Sequence, residues 1–213
     1  MEKQDHLDPA TVQLLRFAAA IAQGEAPDLR ERAAACRAAP VPTPWVEELL
    51  LQSLLMVGYP RTLIAFAIWR KVGRVAAPPS DPDAEYARVA EWTARGEATC
   101  EVVYGANYRR LRENVRGLHP ALDAWMIIEG YGRTMSRPGL DLLRREFCVV
   151  AQTAVMETPR QLHSHLRGAL HAGATFGQIE AVLALVNPLL SYDQWRKVKE
   201  LWATVGEGWE REK

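Results

Sequence analysis

Residues 159–187 read PRQLHSHLRGALHAGATFGQIEAVLALVN, a stretch that contains two helical patterns separated by a glycine turn. In the first pattern, apolar residues recur at helical spacing on one face, which also carries His165. Gly173 is a candidate C-cap, and Thr175 is a candidate N-cap for the next helix. The spacing therefore predicts helices over 159–171 and 175–187.

The same helical periodicity extends over the whole chain, and no convincing strand pattern interrupts it. Further predicted helices cover 11–23, 28–38, 43–58, 60–73, 83–94, 98–116, 121–131, 140–156 and 192–205. A break at Gly105 is an alternative within the helix over 98–116. Pro44 at a first helical position and Thr43 before it indicate where the third of these helices begins. The pattern predicts an all-α fold.

Matching residues at a constant offset of 133 indicate an internal repeat. The pairs are Leu29 with Leu162, Val46 with Ile179, Glu47 with Glu180, Leu50 with Leu183, and Tyr59 with Tyr192. Helical sequences share a period, so coincidence is an alternative, but the matched order favours duplication. Residues 76–82, AAPPSDP, form a predicted linker. We expect a degenerate half-repeat over 1–75 and a full helical domain over 83–213.

Composition excludes several classes of protein. The 213 residues contain 26 Lys+Arg and 26 Asp+Glu, and such a neutral chain lacks the basic surface of a nucleic-acid binder. We expect no membrane span, because no apolar run is long enough, and a cytoplasmic location, because the first residues are polar. The three cysteines form no C-x-x-C pair and no zinc pattern, so neither a disulfide framework nor a metal site is expected.

His165 is the first candidate for chemistry, because its helical face is otherwise apolar. A buried imidazole can act as an acid or base near neutral pH. The alternative is a core histidine hydrogen-bonded to a backbone carbonyl, and spacing alone favours this alternative.

Several motifs together resemble the carboxymuconolactone decarboxylase and alkylhydroperoxidase D-like superfamily. They are YGRTMSRPGL at 131–140, QLHSHLRGAL at 161–170, GAT at 173–175 and IE at 179–180. The resemblance implies an alkylhydroperoxidase D-like helical bundle that uses no cofactor. It also implies a homo-oligomer, a trimer or a hexamer, that acts on a small-molecule substrate.

The departures from the family pattern separate its two branches. In the disulfide-reductase branch a C-x-x-C lies seven and four residues before the histidine, where this chain has Thr158 and Gln161. Thiol–disulfide exchange needs both thiols, so we expect that activity to be absent. The glutamate that the same branch places 19 residues before the histidine is present as Glu146. The resemblance therefore implies that Glu146 and His165 are catalytic.

Helix geometry sets an expectation for this pair. Glu146 and His165 would lie about 7 Å apart along the helix axes, so a bridging water or ligand is expected rather than a direct bond. An ion pair between Glu146 and a neighbouring arginine is the alternative. At the equivalent positions of the first copy the chain has Gln13 and Arg32, which we expect to be structural.

Three more residues are candidates for substrate binding. Arg167 and Arg137 could each hold a substrate carboxylate through paired hydrogen bonds, although either could instead be structural. Tyr131 lies beside a glycine, where an aromatic ring can line a pocket, with packing as the alternative. Cys148 has apolar neighbours and is expected to be buried and inert.

The resulting functional hypothesis is a cofactor-free lyase similar to 4-carboxymuconolactone decarboxylase, acting on a small carboxylated lactone or related acid. Two alternatives stay open. One is peroxide-linked antioxidant activity, for which Cys148 is the nearest thiol. The other is a non-catalytic oligomeric binding protein.

Overall fold

The computed structural model describes residues 5–212, and within that range the regular structure is entirely helical. The helices are α1 (Pro9–Gln23), α2 (Ala26–Ala38), α3 (Thr43–Gly73), α4 (Val89–Tyr104), α5 (Tyr108–Leu118), α6 (Pro120–Trp125), a π-helical segment (Met126–Met135), α7 (Leu142–Val155), α8 (Pro159–His171), α9 (Phe176–Val186) and α10 (Tyr192–Glu212). The prediction of an all-α fold is confirmed.

Side-chain caps explain where several helices begin. The Asp8 carboxylate accepts from the backbone N–H of Thr11 at the start of α1, and Asp141 caps α7 in the same way. Thr175 and Gln178 form a reciprocal capping box at the start of α9, so the predicted N-cap at Thr175 is confirmed. Gly173 follows α8 with φ 99°, the left-handed backbone expected at a helix end.

Gly58 interrupts α3. Its φ of 69° and ψ of 177° are not helical, and Pro60 follows within the same element. By length and apolar composition alone, α3 is the helix among the described residues that could cross a membrane, with 33% of its most apolar window buried. The break leaves about 15 helical residues on either side, short of the roughly 20 that a continuous span needs. The expectation of no membrane span stays a prediction.

One hydrophobic core joins the two predicted domains. Phe17 and Leu50 from the first half pack in the same buried cluster as Phe147, Leu166 and Ile179 from the second. Helix α1 packs directly on α7. The segment predicted as a linker, 76–82, therefore connects two halves that share one core. The division into two domains stays a prediction.

Buried charges also connect the halves. The Arg145 side chain is fully buried and donates to the Glu48 carboxylate at 2.7 Å and to the Gln52 side-chain oxygen at 3.2 Å. Arg137 donates to Glu48 and also to Asp81 and Asp83, at the end of the proline-rich segment. These ion pairs attach the proline-rich segment to the rest of the fold.

The helix bounds of the two halves fall at the predicted offset. Helix α1 starts at Pro9 and α7 at Leu142, 133 residues later, and the starts of α2 and α8 and of α3 and α9 differ by the same number. The capping residues Asp8 and Asp141 also match. Duplication as the origin of this match stays a prediction.

Candidate active site

The candidate site lies between α7 and α8, which three residues connect. The Nδ1 atom of His165 lies 2.8 Å from Oε2 of Glu146. Glu146 is completely buried and His165 is 8% exposed. The expectation of a bridging water or ligand is wrong, because the short connection and the length of the two side chains close the gap directly. Nor does Glu146 pair with Arg144 or Arg145, which bind Asp141 and Glu48.

Gly168 makes room for the Glu146 carboxylate. A Cβ atom at this position would lie 2.5 Å from Oε2 of Glu146 and 2.8 Å from Cγ1 of Val103. Both distances are well inside van der Waals contact, so a side chain at position 168 would displace the carboxylate or separate the helices. A glycine three residues after His165 was the sequence signal for this close approach.

The hydrogen bond assigns the two nitrogens of His165 different roles. A carboxylate accepts hydrogen bonds, so Nδ1 is the nitrogen that donates to Glu146. The Nε2 atom has no hydrogen bond to a described residue, and the ring lines a cavity. The second carboxylate oxygen, Oε1 of Glu146, is buried without a hydrogen-bond partner among the described residues. The pair can therefore accept or deliver a proton at Nε2.

We call the space in front of Nε2 the His165 cavity. Its volume is about 690 Å³, within the range of small-molecule sites. Helix α8 supplies a polar face with Arg160, Gln161, Ser164 and His165. The remaining lining is mainly apolar and comes from α3 to α7, with the residues Leu55, Met56, Tyr104, Leu111, Val115, Leu122, Trp125, Met126, Glu129, Gly130, Tyr131, Met135 and Val149.

Two tyrosines complete the polar side of the cavity. Tyr131 and Tyr104 pack edge to face, with ring centroids 6.2 Å apart. Burial raises the pKa of Tyr104 to about 12, and burial raises the pKa of Tyr131 well above its usual range. The Glu146 charge acts in the same direction on both pKa values. Both hydroxyls therefore stay protonated at neutral pH and can serve as hydrogen-bond donors.

The structure does not bring the two predicted carboxylate-binding arginines to this cavity. The Arg137 guanidinium is held by Glu48, Asp81 and Asp83, which occupy the N–H groups that a substrate would need. Arg167 lines a smaller neighbouring pocket and lies beside the ring of Trp209 on α10. Both positions favour the structural alternative.

The described cysteines offer no activated thiol. Cys148 has no exposed surface, and burial raises the pKa of its thiol. Burial likewise raises the pKa of Cys36 and of Cys100 to about 12. Thiols protonated at neutral pH are poor nucleophiles, so the expectation of a buried Cys148 is confirmed. Within residues 5–212, no group of three or more potential ligands is placed to hold a metal ion.

The helices of the α5–α6 hairpin were predicted from the sequence, but their place beside the cavity was not. Helices α5 and α6 are fastened together because Arg112 and Arg116 both bind the buried Asp123. Leu111 of α5 and Leu122 of α6 then face the cavity. The amphipathic pattern of α5, with arginines opposite leucines, was present in the sequence, but its partner surface was not.

Comparison with known proteins gives limited information. No family model matches the chain. The chain is 28% identical over 141 residues to Peroxisomal protein 2 of Schizosaccharomyces pombe. The aligned region covers 64% of this chain and 64% of that relative. The name of the relative states no activity, and the family resemblance described above stays a prediction.

Proposed function

We propose that the protein is a cofactor-free enzyme that transfers a proton to or from carbon through His165 and Glu146. The leading reaction is decarboxylation of a lactone or related acid, similar to that of 4-carboxymuconolactone decarboxylase. The observation that supports the proposal best is the 2.8 Å contact between His165 and a buried glutamate, with Nε2 left facing a cavity.

The chemical steps follow from this geometry. The bond between the substrate carbon and its carboxylate breaks, CO2 leaves, and the electron pair delocalises into the adjacent carbonyl as an enolate. Tyr104 and Tyr131 line the same cavity, and their hydroxyls are the candidate hydrogen-bond donors to a developing oxyanion. Protonated His165 then delivers its Nε2 proton to the carbon and regains one from solvent. Glu146 stabilises the imidazolium between these events.

Deuterium exchange tests the proposal without requiring the natural substrate. A panel of lactones and carboxylic acids with exchangeable C–H bonds is incubated with the protein in D2O, and incorporation is followed by NMR. We expect exchange for at least one compound, and His165→Asn should slow it by about 100-fold or more. His163→Asn is the matched control on the same helix, since His163 lies outside the His165 cavity.

Two results would count against the proposal. If His165→Asn exchanges every compound at the wild-type rate, His165 has no role in proton transfer. If the wild-type protein binds compounds from the panel without exchange or turnover, the non-catalytic binding protein becomes the better description. Peroxide reduction is less well supported, because Cys148 is buried and burial raises the pKa of its thiol.

Assembly and location are separate proposals. The resemblance described above implies a homo-oligomer, which sedimentation of the purified chain would test. A cytoplasmic location stays a prediction, and the name of the Schizosaccharomyces pombe relative makes the peroxisome a second location to examine.

A further inference from the structure

We propose that the His165 cavity binds an amphiphilic monocarboxylate, with its apolar body against α5 and α6 and its carboxylate on Arg160. This inference rests on the proton transfer proposed at His165. Because the single carboxylate lies on Arg160 and not beside His165, it favours proton transfer at a carbon next to a second carbonyl group over loss of CO2. It favours an acid with one charge and a long apolar part over a small acid with several charges.

The charges around the cavity support a single anionic group. Arg160 lines the cavity, is exposed to solvent, and makes no ion pair with a described residue. Glu129, the other charged residue near the cavity mouth, is paired with Arg133 at 2.9 Å. A guanidinium with free N–H groups beside a neutralised carboxylate favours one ligand carboxylate. A second ligand carboxylate would find no further arginine or lysine among the described residues that line the cavity.

The apolar wall supports an extended hydrocarbon part. The α5–α6 hairpin contributes Leu111, Val115, Leu122 and Trp125 to the cavity lining, and the last two are also exposed to solvent, by 46% and 61%. Three methionines line the same space, Met56, Met126 and Met135. Methionine side chains are flexible and polarisable, so such a wall accommodates chains of differing shape.

Helix geometry places the anion and the reacting carbon apart. Arg160 and His165 are five residues apart on α8, about 7.5 Å along its axis. His165 is more than nine-tenths buried and its Nε2 atom has no described partner, so it marks the inner end of the ligand site. A ligand that reaches both residues has its carboxylate at the mouth and its reactive group inside.

Isothermal titration calorimetry with three probes tests the inference. The probes are decanoate, the uncharged analogue 1-decanol, and the small dianion cis,cis-muconate. We expect decanoate to bind more tightly than muconate. Arg160→Gln should weaken decanoate binding by about tenfold, the effect of one charged contact, and leave decanol binding unchanged. Arg109→Gln, an exposed arginine on α5 outside the cavity lining, is the matched control and should bind decanoate like the wild type.

The inference is overturned if muconate binds more tightly than decanoate, if decanoate does not bind, or if Arg160→Gln leaves its affinity unchanged. Circular dichroism of each variant shows whether the helices are retained, and the decanol titration shows that the cavity is intact. His165→Asn separates the two proposals. Retained decanoate binding with lost proton exchange supports both, whereas Arg160-dependent binding with unchanged exchange overturns only the catalytic role of His165.

Discussion

Helix pairs α1–α2 and α7–α8 have closely matching bounds at an offset of 133 residues, yet only the second holds a buried acid–base pair among the described residues. At the positions equivalent to Glu146 and His165, the first pair has Gln13 and Arg32. Arg32 lies near the surface beside Glu31, at 3.2 Å. Similar helices at matched positions thus carry different chemistry.

Two further differences show what the second pair requires. Helix α4 packs on α8, and the hairpin α5–α6 and the π-helical segment enclose the space beyond it. Helix α2 instead contacts α1 and α3. The position equivalent to Gly168 is Ala35, so α2 also carries the methyl group that would collide with a carboxylate. A buried acid–base pair therefore needs three things together: the two residues, a glycine that leaves room for the carboxylate, and neighbouring helices that enclose the site.

The largest expected effect comes from removing the space. Gly168→Ala should lower proton-exchange activity by about 100-fold, since its methyl group would lie 2.5 Å from Oε2 of Glu146 and displacement by a fraction of an ångström misaligns the pair. NMR-monitored exchange in D2O measures the effect. The counterpart Ala35→Gly should leave activity unchanged and cost about 0.5–1 kcal/mol of stability. Equal activity of Gly168→Ala and wild type would show that the close approach is unimportant.

Loosening the cover should have the next largest effect. Asp123→Asn removes the carboxylate that holds Arg112 and Arg116, and we expect a loss of about 2 kcal/mol in urea denaturation at pH 7. The exposed Asp193→Asn, which loosens a 3.7 Å pair with Arg196, should change stability by less than about 0.5 kcal/mol. Similar losses in both variants would contradict the importance of the hairpin pairing.

The same carboxylate predicts a pH dependence. Hydrogen bonds from Arg112 outweigh the opposing effect of burial and, with those from Arg116, hold the pKa of Asp123 below its usual 3.8. The unfolded chain therefore takes up this proton first as the pH falls. The contribution of Asp123 to stability is complete above pH 3.8 and is lost as the pH falls through the lowered pKa. Acid denaturation of the wild type and Asp123→Asn should converge below that range, and a constant difference would contradict the assignment.

A smaller effect on stability is expected at high pH from Tyr104 of α4, which packs on α8. Burial raises the pKa of Tyr104 to about 12 from its usual 10.0. The unfolded chain therefore loses this proton at a lower pH than the folded protein does. Its contribution to stability therefore falls between pH 10 and about 12. Tyr104→Phe should lose less stability than the wild type over that interval, as measured by urea denaturation. Parallel curves would show that this hydroxyl ionises normally.

The smallest effect should come from transplanting the residues alone. The double variant Gln13→Glu, Arg32→His gives α1–α2 the same residue types without the glycine or the cover. We expect no added proton exchange when this change is made in a His165→Asn background. Recovery of exchange would show that the helix pair alone suffices.

Much of the fold follows from local patterns. The caps at Asp141 and Thr175 and the turn at Gly173 depend on neighbouring residues, so helix bounds near them could be predicted closely. The break in α3 at Gly58, just before Pro60, could be predicted as well, because both residues disfavour a continuous helix.

The site was less accessible to sequence reasoning. His165 and Glu146 were identified through the family resemblance, but their direct contact depends on Gly168. The substrate-binding assignments at Arg137 and Arg167 found no support. The partners of such long side chains can be distant in sequence, so local patterns do not identify them. Glu48, which binds Arg137, is 89 residues away. Tyr131 lines the cavity as expected, and its role there stays a prediction.

The buried Arg145 constrains the order in which the chain can fold. Its carboxylate partner Glu48 is 97 residues earlier. Gln52, whose side-chain amide donates to the backbone carbonyl of Arg145, is 93 residues earlier. During synthesis the first helices leave the ribosome long before Arg145 is added to the chain. The Glu48 carboxylate on α3 therefore stays hydrated until α7 has been synthesised. A nascent chain released before residue 145 would lack one of the two arginines that bind Glu48, and a fragment beginning after α3 would leave the buried Arg145 guanidinium without its carboxylate partner. We therefore expect the two halves to complete their shared core only after α7 has been synthesised.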